Sequence, residues 1–260
     1  CTPRPTSNTA ARIRSKGNDP LMMNDTQQVV RGWRLNIDVD MVLRGQGADP
    51  AVLRQRKPRL VEIAERALNE GQALIEPAVV YRTVRVETLT HERLTLNGGA
   101  HLSGALLAQH LAPAQSVTLI LCTIGPALEQ RVSTLLREDA SFGLALDGFG
   151  SVAVEALGVA ICSQLETQAR QAGQHTSIPL SPGMIGWPVD VGQSQLFSQI
   201  DATPIGVTLN DSAQMIPRKS TSMILGGGPA PFSEGRACDF CALRETCRYQ
   251  DHYAHAGDKA

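Results

Sequence analysis

The chain has 260 residues, 42% of them hydrophobic and 19% charged, which excludes a disordered or fibrous protein. With 24 basic and 25 acidic residues the formal charge is -1, so no global field exists to hold a nucleic acid or an anionic membrane surface. No run of 18 or more apolar residues occurs in the sequence, and at ~150 residues per domain the length allows one large domain or two small ones.

The N-terminal stretch 1–21 is rich in Pro, Arg, Ser, Thr and Asn and carries almost no apolar residue. Cys1 is not an ordinary initiator, and Met22 or Met23 offers an alternative start. Residues 1–24 are read as a tail outside the fold, with a transit peptide as the minor alternative. Residues 32–37 alternate weakly and predict a short strand. Asp49-Pro50 opens a helix, with Asp49 as cap and Pro50 in the first turn. Leu53, Leu60, Ile63, Ala64, Ala67 and Leu68 continue an apolar stripe that Pro58 kinks or restarts, and Asn69-Glu70-Gly71 predicts the stop.

Residues 74–96 read as strands ending at the turn Asn97-Gly98-Gly99. Residues 103–111 predict a short helix. Residues 116–122 (SVTLILC) form the strongest buried-strand signal in the chain, and residues 127–136 follow as an amphipathic helix. Residues 144–169 predict a long central helix lined by small residues. A Pro/Gly-rich loop over 175–192, a helix over 193–200 and a strand over 205–209 come next. Gly226-Gly227-Gly228-Pro229 reads as a flexible link to a cysteine-rich tail, residues 229–260, which leaves residues 25–228 as the main domain. Strands and helices are interspersed without a βαβ rhythm, so the expected class is α+β. No dinucleotide or P-loop fingerprint, nucleophile elbow, HExxH or catalytic carboxylate pair occurs, and no catalytic residue is assigned.

Four constellations carry chemistry. In Ser181-Pro182-Gly183-Met184-Ile185-Gly186-Trp187-Pro188, two prolines, two glycines and a tryptophan make a stiff loop. Its amides are expected to face outward, and its glycines let a ligand approach the backbone. The bland reading is a rigid connection. Arg218 and Lys219 follow a polar turn and suit a phosphate or carboxylate, or else form a solvated pair. Glu155 lies within an apolar helix and must be paired, at an edge, or facing a ligand cavity. Cys238-x2-Cys241-x5-Cys247 clusters three thiols, which suits zinc or an iron–sulfur cluster in a reducing cytoplasm; three incidental thiols are the alternative. His252, His255, Cys122, Cys162 or a partner would supply a fourth ligand. Cys122 and Cys162 read as buried thiols, and His91, His101, His110 and His175 as surface residues.

Residues 117–129 (VTLILCTIGPALE), 146–155 (LDGFGSVAVE), 181–188 and 205–222 (IGVTLNDSAQMIPRKSTS), taken in order, resemble the activation (reactivation) domain of cobalamin-dependent methionine synthase, and more closely its stand-alone relatives. The resemblance covers roughly residues 30–228. It implies a C-shaped α+β domain with a twisted antiparallel sheet and flanking helices. It also implies docking on a corrinoid-bearing domain, S-adenosylmethionine as methyl donor, and reductive return of cob(II)alamin to methylcobalamin. Pro182, Gly183 and Pro188 match the family's ligand loop, with Met184, Gly186 and Trp187 beside them, and Glu155 matches an acidic helix position. Pro179 and Met184 stand where the family has Arg and Tyr, and Leu225 where it has an aromatic residue. Arg218 or Lys219 would take the place of the missing Arg. Partners implied are a corrinoid-binding protein or cobalamin-dependent methyltransferase, with an electron donor such as flavodoxin or ferredoxin. The cysteine tail, as [4Fe-4S] or zinc, lies outside the family domain and would relay an electron. The alternative is a non-catalytic corrinoid-protein-binding module with structural zinc.

Overall fold

The computed structural model describes residues 25–241, 244 and 245. Five strands and a short edge pairing order the main sheet as β4-β3-β2-β5-β9-β6, with β1 added to β2. The strands are β1 (Gln28–Arg31), β2 (Ala78–Thr90), β3 (Arg93–Leu96), β4 (His101–Ser103), β5 (Ser116–Thr123), β6 (His175–Thr176) and β9 (Ser220–Gly228). Every pairing is antiparallel. The first half of β2 lies between β1 and β5. Past a register shift between Val86 and Thr88 its second half pairs with β3, so one strand serves two parts of a curled sheet.

β5 is buried at all eight residues. Its continuous apolar run is explained by cover on both faces. Val79, Tyr81, Ile120, Cys122, Met223 and Leu225 face a helical layer, while Val80, Leu119, Leu121 and Ile224 face a second core. The helical layer comprises α1 (Val39–Gly45), α2 (Pro50–Arg56), α3 (Pro58–Leu74), α5 (Ala127–Glu138) and α6 (Ala140–Gln171). The opposite face is covered by α4 (Ala105–His110), α7 (Val189–Phe197) and the loops around them. At 32 residues α6 is long and apolar enough to cross a membrane, but here it is the central helix of the core, packed against α1, α3 and α5.

Asp49 caps α2 as expected, accepting the Ala51 N–H at 2.9 Å, and Pro58 starts α3 afresh. Other expectations are corrected. The strand expected over 32–37 is β1, ending before Gly32, where φ is +74°. The predicted stop at Gly71 lies inside α3, because Gly71 is a crossing point: a Cβ there would fall within the Phe149 ring of α6. The short helix expected over 103–111 is α4, Ala105–His110, with Ser103 ending β4. The helix expected over 193–200 begins at Val189. Instead of one strand over 205–209, a helical turn Thr203–Ile205 precedes a two-strand hairpin of β7 (Thr208–Leu209) and β8 (Met215–Ile216).

Gly226-Gly227-Gly228 is no link. It ends the buried strand β9, and a Cβ on Gly226 would lie 2.7 Å from Leu111 Cδ2. Local composition signals flexibility, but Gly226 and Gly228 answer a tight approach by Leu111 and Pro113, just past α4.

Candidate functional site

After β6 the chain follows the edge of β9. Leu180 and Ile224 exchange both backbone bonds, at 3.0 and 2.8 Å. This pins the start of the Pro-Gly loop to the sheet. The loop then folds on itself: Gly183 N–H donates to Trp187 O at 2.8 Å, Met184 N–H to Ser181 O at 3.2 Å, and Trp187 N–H to Met184 O at 3.0 Å. Gly183 and Gly186 take φ of +99° and +86°, which explains two of the loop's glycines. The expectation of outward amides is corrected, since these N–H groups are engaged by protein acceptors.

Trp187 is fully buried and anchors the loop from below. Its indole N–H donates to Gln195 Oε1 at 3.3 Å, and the same oxygen accepts the Ser103 N–H at 3.1 Å. A Cβ on Gly192 of α7 would lie 2.8 Å from Pro182 and 2.9 Å from the Trp187 ring, and one on Gly186 would lie 3.1 Å from Leu106 N, so α7 and the start of α4 both touch the loop. Met184 is half-buried against this core, while Ile185 is 62% exposed.

The cysteine turn packs onto this loop. A short helical turn, Ala237–Phe240, is capped by Arg236 and Asp239. Met184 and Cys241 stand opposite one another across an antiparallel bridge, and Ile185 N–H donates to Phe240 O at 2.9 Å. The Phe240 ring meets the His110 ring edge-on with centroids 4.3 Å apart. His110, expected at the surface, is 2% exposed, and burial pushes its imidazole below its ordinary value. Cys238 and Cys241 are half-buried free thiols, whereas Cys247 lies outside the described residues, as do His252 and His255. Among the described residues no group of three or more His, Cys, Asp or Glu side chains is placed to hold a metal ion.

The remaining expected residues belong to the other face of the sheet. Glu155 is exposed at the edge of α6 and has no ion-pair partner among the described residues. Although the residue as a whole reaches solvent, partial burial of its carboxyl raises that group above its ordinary value, a smaller effect than for a fully enclosed carboxylate. Lys219 is 15% exposed and paired with Asp147 Oδ1 at 2.8 Å, with Ser151 Oγ accepting a second bond at 2.8 Å. Arg218 is 81% exposed, 3.4 Å from Glu129, whose carboxylate also accepts its backbone N–H at 2.9 Å. Deeper on this face, burial raises the thiols of Cys122 and Cys162, the latter to about 12. Glu155 and Lys219 thus lie on the helical side, and Met184 and Trp187 on the α7 side.

A cleft of about 680 Å³ lies elsewhere, lined by Arg82, Phe197, Gln199, Asp201 and neighbours, and none of the expected ligand residues borders it. The residues that sequence reasoning missed are Phe240 and His110. The available signal was an aromatic residue between two cysteines, apolar in an otherwise polar tail.

No protein-family model matches the sequence, and no curated protein does. Among solved structures the chain is similar to the crystal structure of the MetH reactivation domain bound to AdoHcy, with a TM-score of 0.61, 11% identity, and coverage of 85% of this chain and 85% of that one. That likeness is one of fold. The α+β class, the curled antiparallel sheet and the flanking helices expected from the resemblance are those observed.

Proposed function

We propose that this chain serves a cobalamin-dependent methyltransferase as a reactivation component, docking on the partner's corrinoid-bearing domain. The observation that carries the reading is the fold likeness to a reactivation domain over 85% of both chains, with AdoHcy bound in that relative. The Pro182-Gly183 turn at the edge of β9 supports it. In this reading an external one-electron donor reduces cob(II)alamin to cob(I)alamin, and the methyl of S-adenosylmethionine passes to cobalt, leaving S-adenosylhomocysteine.

The chain's own residues suit part of that ligand. Glu155, a carboxylate without an ion-pair partner in partly apolar surroundings, suits the cationic ammonium or sulfonium end. Pro182, Gly183 and Gly186 would shape the loop, Met184 would line it, and Trp187 would fix it from the core. Arg218 and Lys219 already serve Glu129 and Asp147, so an incoming carboxylate would have to displace one of those pairs. Cys238, Cys241 and Cys247 are the proposed holders of zinc or [4Fe-4S]. Two described thiols do not complete such a site, and no step is assigned to it.

A second reading, a non-catalytic module that docks on a corrinoid protein, is favoured by the engaged loop amides and the two committed basic residues. Calorimetric titration with S-adenosylmethionine, and visible spectra of a cob(II)alamin-loaded methyltransferase with reductant and the full chain, decide between them. Conversion to methylcobalamin that depends on this chain supports reactivation. Partner binding without S-adenosylmethionine binding supports the module, and absence of both overturns each.

A further inference from the structure

We propose that the segment from Arg236 to Cys241 is a strap across the Pro-Gly loop, and that a ligand entering the loop competes with it. Three contacts make the strap. Ile185 N–H donates to Phe240 O at 2.9 Å, Met184 faces Cys241 across the bridge, and the Phe240 ring packs on His110. Gly183, Met184 and Trp187 donate within the loop itself, whereas Ile185 donates to the tail. The Ile185 N–H is therefore the loop donor that lifting the tail would free, and the Phe240 carbonyl occupies the place an acceptor group on a ligand would take.

The strap is preorganised and lightly held. Arg236 N–H donates to Asp239 Oδ2 at 2.9 Å and Cys241 N–H to Cys238 O at 3.3 Å, so the turn keeps its shape by local bonds. Its anchor is one aromatic ring, half-buried against a histidine whose Nε2 has no hydrogen-bond partner among the described residues. An anchor that leaves a buried polar atom unsatisfied is held less firmly than a fully bonded one. Because Cys238 and Cys241 lie in the strap, their accessibility and the loop's opening are one equilibrium, and coupling between them is reciprocal.

The test uses the full chain with Phe240→Ala, and Asp239→Ala as a milder variant that loosens the turn without touching the core. Amide hydrogen exchange at Ile185 and iodoacetamide labelling at Cys241, resolved by peptide mass spectrometry, should both accelerate by about tenfold in Phe240→Ala, the loss expected for one half-buried aromatic anchor. In Asp239→Ala both should accelerate less, and together. Exchange across β5 should stay as in the parent. Acceleration of only one probe, or of neither, in whichever variant retains β5 protection overturns the strap. The competition with ligand rests on the proposed function and is read separately, by titration with AdoHcy. Phe240→Ala should bind it several-fold more tightly than the parent, and equal affinity overturns competition. Binding to neither protein counts against both the proposed function and the competition, while the strap itself is judged on exchange and labelling.

Discussion

Lys219 Nζ sits 2.8 Å from Asp147 Oδ1, joining the start of β9 to α6 across the edge of the helical layer. The lysine is mostly buried and the aspartate half-exposed, so the two ends are unequal. Removing Asp147 leaves a cation with only Ser151 Oγ beside it. Asp147→Ala should therefore destabilise the fold by about 1–2 kcal/mol. Arg218→Ala, which breaks an exposed pair with Glu129, should cost no more than ~0.5 kcal/mol. Urea unfolding midpoints of the two variants check the order.

Gly71 and Phe149 form the closest crossing of α3 and α6. Alanine is the better helix former by about 1 kcal/mol, yet its methyl would enter the Phe149 ring. Overpacking in a dense core costs about 1–3 kcal/mol, so Gly71→Ala should lower the melting temperature despite its propensity. Phe149→Leu should cost stability alone and recover part of the loss in combination. A thermodynamic cycle with additive effects would contradict the crossing.

The four cysteines among the described residues should separate by reactivity. Burial raises the thiols of both Cys162 and Cys122, so neither forms appreciable thiolate at pH 8. Cys238 and Cys241 are half-buried in the turn that lies over the Pro-Gly loop, where reagent reaches them from solvent. Iodoacetamide at pH 8 should label Cys238 and Cys241 first, Cys162 slowly, and Cys122 only once the fold is lost. Early labelling of Cys122, followed by mass spectrometry, would contradict its place in the centre of β5.

What the sequence made legible was local. Asp49-Pro50 caps one helix and Pro58 starts another because the relevant bonds span three or four residues. The run 116–122 reads as a buried strand because every position is apolar or small. What it hid depends on distant neighbours: Gly71 answers to Phe149, Gly226 to Leu111, and Ile185 to Phe240. The candidate site divides in the same way. The shape of the Pro-Gly loop follows from its own glycines and prolines, whereas the commitment of Lys219 to Asp147 and the docking of the cysteine turn are tertiary events. His110 reads as a surface residue because it shows no ligand spacing with any other histidine, and nothing local reveals the aromatic ring from 130 residues away that covers it.

Glu155 connects stability to the proposed chemistry. Its carboxyl is raised by desolvation, so the folded chain holds the proton more firmly than the unfolded chain does. By linkage, the stability this group contributes is fully present below the unfolded value and is lost as pH rises through the folded one. Glu155→Gln keeps the shape and removes the charge. It should match the parent at pH 4 and exceed it at pH 7, with the difference opening over the interval above the ordinary carboxylate range. Melting temperatures of both proteins across pH 4–8 check this, and a difference that closes as pH rises would reverse the sign and refute the assignment. If Glu155 meets the cationic end of S-adenosylmethionine, the same substitution should weaken that ligand while stabilising the protein. A carboxylate that costs stability while holding a ligand's cation is the trade-off expected of a binding position.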